Sequence, residues 1–200
     1  MYQSKSYGRL IGTPGFSENL LNTHFTLYQG YVTNTNKVAD QLRTLLDSDA
    51  ASTPEYAEIT RRFGWEFNGM RLHEYYFGNM VSGGKQLAGG SPLHAALTHQ
   101  FATFENWQKD FVATGAMRGI GWAILYYDPE DDRYFNCWIN EHDTGHLAGC
   151  VPLLVMDVFE HAFILDYGTK RADYIQAFLK AVDWSKVDER MMRQAKSQTI

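Results

Sequence analysis

The sequence predicts an α+β protein, with a long N-terminal α-hairpin followed by a helix, a three-stranded antiparallel sheet and a closing helix. Three observations carry that expectation. Apolar residues recur at helical spacing from Leu20 to Phe77. The period then shortens to that of strands in three runs between Gly121 and Met156. A glycine-rich stretch, Ser82-Gly83-Gly84-Lys85-Gln86-Leu87-Ala88-Gly89-Gly90, separates the two regimes and divides a 1–82 helical unit from a 91–200 α+β unit.

The elements follow in order. Ser17 suits a helix N-cap, and Leu20, Leu21, His24, Leu27, Tyr28, Tyr31 and Val32 then share a stripe that Val38, Leu42, Leu45 and Leu46 extend. A Ser/Asp/Ala-rich turn from Asp47 to Thr53 ends it. Pro54 opens the second helix at the first-turn position that proline tolerates. Its stripe runs through Tyr56, Ile59, Phe63, Phe67, Met70, His73 and Phe77. Ser91-Pro92 starts another helix, through Leu93, Leu97, Phe101, Phe104 and Phe111. Gly121–Tyr127 and Arg133–Asn140 read as two strands about a polar turn, and the apolar run Val151–Met156 supplies a third. Arg171 to Gln194 returns to helix.

Composition removes several function classes. A net charge of −5 with no Lys/Arg block argues against a nucleic-acid partner. No apolar run approaches the roughly 18–20 residues of a membrane span, and the first nine residues lack the apolar core of a signal peptide. With only Cys137 and Cys150 no disulfide framework is implied, so a reducing cytoplasm is expected. Twelve Tyr, twelve Phe and five Trp suggest ring-walled surroundings for a site, although a stiff core would give the same count.

The chemistry concentrates in Asp157-Val158-Phe159-Glu160-His161-Ala162-Phe163. A buried strand delivers Asp157 at its end, and if the chain then turns helical, Asp157 and His161 share a face at i and i+4. One carboxylate and one imidazole can then meet a single ion, with Glu160 on a different face. Alone, the pair could equally be a simple Asp–His hydrogen bond. His24 and His73 lie on the apolar stripes of facing helices, where a lone histidine is usually a core residue. Together the four make a borderline donor set that suits iron, manganese or zinc. His94, His99 and His146 carry no comparable claim.

The whole chain resembles the iron/manganese superoxide dismutase family. Its D-x-W-E-H-A-[FY] signature appears as Asp157–Phe163, followed by Asp166-Tyr167 and Lys170-Arg171-Ala172-Asp173-Tyr174. Leu72-His73-Glu74-Tyr75-Tyr76-Phe77 is similar to its second-helix segment, Gly121-Trp122 to its G-x-G-W strand, and Gln29-Gly30-Tyr31-Val32 with Asn34 and Asn36 to the end of its first-helix motif. The resemblance implies His24, His73, Asp157 and His161 as ligands of one iron per subunit, manganese being possible. It implies Tyr31 as a catalytic residue and superoxide as substrate. It also implies a homodimer or dimer of dimers in which Glu160 reaches the partner's His161.

Departures sharpen the expectations. Relatives commonly place the tyrosine eight positions after the first ligand; here His24 to Tyr31 is seven, and Tyr28-Gln29 stands where a histidine pair and glutamine are usual. A one-residue deletion turns helix phase by about 100°, so the loss is read as that of a bulge. The usual partner of the missing histidine falls at Ile164, so both halves of one hydrogen bond are absent together. Gly69 occupies a place where relatives can carry glutamine. By the resemblance that glutamine hydrogen-bonds the metal-bound solvent, and this catalytic role is expected from Asn140-Glu141-His142-Asp143, from His142 rather than Glu141, a feature of the archaeal-type branch that favours iron. Tyr75, Tyr76, Phe77, Trp122 and Phe159 are expected to wall the site, with core packing as the alternative. Arg171 is expected to brace the structure, and with Lys170 to draw anions inward. The competing functions are a metal-binding paralogue of weak redox activity and, more remotely, a di-iron or two-His-one-carboxylate oxygenase.

Overall fold

The structure, a computed structural model, describes residues 1–197. Two long helices form the N-terminal hairpin: α1 (Glu18–Asp47) and α2 (Pro54–Gly78). Side-chain caps start both. Ser17 Oγ accepts from Leu20 N at 3.0 Å, and Thr53 Oγ1 accepts from Tyr56 N at 3.2 Å ahead of Pro54. The α1 helix runs unbroken through His24 and Tyr31.

The single helix expected after Ser91 is two, α3 (Pro92–Phe101) and α4 (Phe104–Ala116). Ala102 sits at φ 68°, where a helix cannot continue, and Thr103 recaps the chain by accepting from Asn106 N at 3.0 Å. The sheet comprises β1 (Trp122–Asp128), β2 (Arg133–Ile139) and β3 (Val151–Asp157) in the order β2-β1-β3, all antiparallel. A short α5 (Ile164–Tyr167) follows. The expected terminal helix is again two, α6 (Arg171–Lys180) and α7 (Trp184–Ser197), parted at Ala181–Asp183.

Strand β1 is central, and Trp122 through Tyr127 are all buried. Strand β3 holds an outer position, which explains how it accommodates Pro152. Its open edge is covered by side chains. The fully buried Asn79 accepts from Val155 N at 3.1 Å and donates to Val155 O at 3.3 Å, like a one-residue extra strand. Arg190 donates to Leu153 O at 2.6 Å. Helix α2 is thereby fastened to β3, and this brings His73 opposite Asp157.

Among the described residues no helix is long and apolar enough to cross a membrane.

Candidate metal centre

His24 and His73 enter the same interior space from the facing sides of the hairpin, with ring centroids 5.0 Å apart. Both are buried. The His73 Nδ1–H donates to Gly69 O at 2.6 Å, four residues back on its own helix. Since a carbonyl only accepts, this fixes the tautomer and leaves Nε2 with a bare lone pair.

Asp157, the last residue of β3, arrives from the sheet. Its Oδ1 accepts from Phe159 N at 2.8 Å, which orients the carboxylate. Its Oδ2 lies 3.2 Å from His24 Nε2, 3.6 Å from His73 Nε2 and 3.1 Å from His161 Nε2. His161 does not reach this point from an α-helix. The backbone after Asp157 makes a single 3-10 turn, Glu160–Ala162, so the expected i, i+4 helical face is replaced by a strand end and a tight turn. The β1–β3 pairing ends with Val158 N donating to Gly121 O at 2.9 Å, just before that turn.

Burial alone would raise the Asp157 pKa, but the neighbouring His161 and His24 imidazoles outweigh it and hold the carboxyl well below the usual carboxylate range. Burial pushes His24 and His73 the other way, keeping both rings neutral and able to donate lone pairs.

The donor atoms of His24, His73, Asp157 and His161 all lie within 4.8 Å of one another. The Nε2 atoms of His24 and His73 are buried and have no hydrogen-bond partner. A buried polar nitrogen left bare is costly unless something occupies the space it faces. Three imidazoles and a carboxylate fit one iron or manganese ion.

Aromatic rings enclose this point. Phe77 packs 4.8 Å from His24, Trp122 5.1 Å from His73, and Phe159 stacks 5.2 Å from His161. Tyr76 lies 5.3 Å from His24, its hydroxyl 3.2 Å from that of Tyr174, which donates to Asp157 O at 2.6 Å. Tyr75 is not part of the wall. Its ring lies under the Arg190 guanidinium at 4.7 Å, on another side of α2.

Tyr31 and His142 form the second layer. The Tyr31 ring stacks 5.2 Å from His73, and its hydroxyl is 2.7 Å from His142 Nε2. His142 is fully buried, and its Nδ1 accepts from Trp122 Nε1 at 3.1 Å. The indole only donates, so the neutral His142 ring carries its hydrogen on Nε2 and gives it to the Tyr31 oxygen. The Tyr31 proton is then free to point elsewhere. Burial lowers the His142 pKa to about 4 and, with the Asp157 charge, raises that of Tyr31 to about 12. Gly69 makes room for this arrangement: a Cβ there would fall 2.5 Å from Tyr31 Cδ1.

With this geometry in view, the chain can be set beside known proteins. A family model described as iron/manganese superoxide dismutases, C-terminal domain, matches residues 89–190. The chain belongs to the iron/manganese superoxide dismutase family. It is 35% identical over 181 residues to a superoxide dismutase (Fe) of Cupriavidus metallidurans, covering 88% of each chain. It is 31% identical over 187 residues to a superoxide dismutase (Fe) of Saccharolobus solfataricus, covering 90% of this chain and 87% of the relative. It is also 34% identical over 180 residues to a superoxide dismutase (Mn) of Haloarcula marismortui, covering 88% and 85%. Its activity is that of a superoxide dismutase, and its cofactor is iron or manganese.

The remaining expected residues lie around this dismutase site. Glu160 is exposed and shares a surface hollow with Ile164 and Met117, apolar side chains that are each 46% exposed. Arg171 donates to Met117 O at 2.6 Å and Gly119 O at 2.7 Å, bracing the turn before β1. Sequence reasoning missed Trp65, whose ring packs 4.8 Å from His142, and Arg62, whose guanidinium lies 5.1 Å over Trp65 and pairs with Glu66 at 2.8 Å. Their i, i+3 and i, i+4 spacing was the available signal. It also passed over His146, which bonds the loop that carries His142.

Proposed function

We propose that His24, His73, Asp157 and His161 hold the ion, that Tyr31 supplies protons to the reaction, and that His142 orients Tyr31. The observation that carries this reading is the convergence of two bare, buried Nε2 atoms on Asp157 Oδ2, with the Tyr31–His142 pair alongside. Two superoxide ions become dioxygen and hydrogen peroxide: one loses an electron, the other gains it and takes up two protons. When bound, the iron or manganese ion supplies the one-electron exchange.

The chain's own residues do the rest. Tyr31, kept protonated by its raised pKa, offers its hydroxyl proton to the reduced dioxygen species. His142 cannot take that proton at neutral pH, since its Nδ1 is engaged by Trp122 and burial disfavours its cationic form. It serves as a fixed donor to the Tyr31 oxygen. Trp122, Tyr76 and Phe159 limit the space to small species and exclude bulk water.

Glu160, with the exposed apolar side chains of Ile164 and Met117 beside it, supports a twofold homodimer or dimer of dimers in which Glu160 meets the partner subunit's His161. Arg171 stiffens that face. Free thiols at Cys137 and Cys150 are in keeping with a cytoplasmic location. Residues 1–82 and 91–200 are the two units that clasp the ion between them.

The test is direct. Metal-free protein loaded with Fe(II) or Mn(II) should consume superoxide in proportion to bound metal and sediment as at least a dimer. Full loading without superoxide consumption would overturn the assigned roles, and a monomer at micromolar concentration would overturn the interface.

A further inference from the structure

His142 is held at three points, and one of them lies outside the site described so far. Its ring is fixed by Trp122 and Tyr31. Its backbone carbonyl accepts from His146 Nε2 at 2.7 Å, and His146 Nδ1 is in turn 2.6 Å from the Tyr126 hydroxyl. A carbonyl only accepts, so Nε2 carries the hydrogen of His146. The bare Nδ1 of that tautomer accepts from Tyr126. Tyr126 is buried within the central strand β1, four residues beyond Trp122. One strand therefore anchors both ends of the linkage to His142: Trp122 at the ring, and Tyr126 through His146 at the peptide.

The loop needs such an anchor. It leaves β2 after Ile139, and Glu141 takes a left-handed φ of 59°. A lone bridge joins Asn140 to Thr144, and Gly145 turns the chain again at φ 92°, bringing His146 back beneath His142. A left-handed non-glycine residue costs about 1 kcal/mol and persists only where its surroundings hold it.

We propose that His146, backed by Tyr126, is a positioning residue that holds the His142 peptide, and so keeps the His142 ring in register with Tyr31. The inference rests on the roles given above to Tyr31 and His142. It adds a part of the reaction's support that touches neither ion nor substrate.

The experiment reads the Trp122 indole N–H, which bonds His142 Nδ1. In metal-free, nitrogen-15-labelled protein its resonance is assigned by its loss in Trp122→Phe, and its exchange with solvent is followed. His146→Leu should leave metal content after loading unchanged, speed that exchange by about tenfold, and lower kcat by about fivefold to tenfold, the loss of one buried hydrogen bond. His146→Gln, whose side-chain amide can donate to the same carbonyl, should recover most of both. Tyr126→Phe should shift both in the same direction by less, and serves as the readout should His146→Leu not fold. Unchanged indole exchange in His146→Leu, or in Tyr126→Phe where that variant stands in, overturns the proposal. So does a His146→Gln variant as impaired as His146→Leu. Wild-type protein inactive in both metal forms would instead sink the catalytic roles, while the exchange measurement would still decide the positioning.

Discussion

The His24, His73, Asp157 and His161 cluster and the 140–146 loop lie side by side yet are organised by different physics. His24, His73 and Asp157 sit on two helices and a strand, and only His161 depends on a turn. Their mutual arrangement sets one carboxylate among three imidazoles, a donor set suited to a cation. The loop instead uses a left-handed residue, a single bridge and directional hydrogen bonds. On the proposed roles, holding the ion and orienting the proton donor are separable tasks. Mutations should therefore divide them.

The largest effect is expected from the ligands. His161→Ala and Asp157→Ala should each lose essentially all bound metal on dialysis, because either removes one of four donors and Asp157→Ala also removes the only carboxylate. Elemental analysis showing full occupancy in either variant would dissolve the distinction between the two regions.

Next is the acid response of the metal-free protein. Burial depresses the pKa values of His24, His73 and His142, so the folded state keeps these rings neutral where the unfolded chain, with histidine pKa near 6.5, binds protons. The unfolded state then binds more protons below about pH 6.5, and stability falls as pH drops, by up to about 1.4 kcal/mol per pH unit for each histidine. Above that pH these groups contribute no slope. Asp157, also depressed, contributes stability above the normal carboxylate range that is lost only at lower pH. Urea midpoints should accordingly be lower at pH 5.5 than at pH 7.5, and His142→Gln should flatten the slope by about one third. Equal midpoints at the two pH values would show that the rings are not held neutral.

His142→Ala should separate the tasks cleanly. Metal content stays, and activity falls by roughly tenfold to a hundredfold for the loss of about 1.5–3 kcal/mol. Glu141→Gln is the control and should be near wild type. The reverse ranking would move the role to Glu141.

The smallest effect tests the contact between the hairpin and the loop. Gly69→Ala gains helix propensity of about 1 kcal/mol but places a methyl 2.5 Å from Tyr31 Cδ1. Overpacking of about 1–3 kcal/mol should leave it destabilised by up to about 2 kcal/mol, with a few-fold loss of kcat as Tyr31 shifts off His142. A more stable, fully active variant would show that Tyr31 has room to spare.

Much of the fold was legible in the chain. Ser17 and Thr53-Pro54 announce their helices because caps are local chemistry, and the three strands declare themselves by period. The two unexpected breaks, at Ala102 and at Ala181–Asp183, lie inside apolar patterns that continue across them. Periodicity reports which residues are buried, not whether the backbone turns between them. At the site the same limit applies. The Asp157–His161 spacing suggested a helical face, and the structure reaches the same convergence through a strand end and a 3-10 turn.

The sequence by itself determined the donor types, their helix and strand carriers, and the family motif, because spacing and residue chemistry are properties of the chain alone. Tertiary structure decided what the bare Nε2 of His73 faces, since Asp157 Oδ2 arrives 3.6 Å away from a strand more than eighty residues on. It decided that His142 bonds both Tyr31 and Trp122, since the loop after β2 folds back against the hairpin and β1 at distances the sequence does not carry. It alone revealed Tyr126 and His146 as their support, for hydrogen bonds across a sheet and a loop depend on distances that no linear pattern encodes.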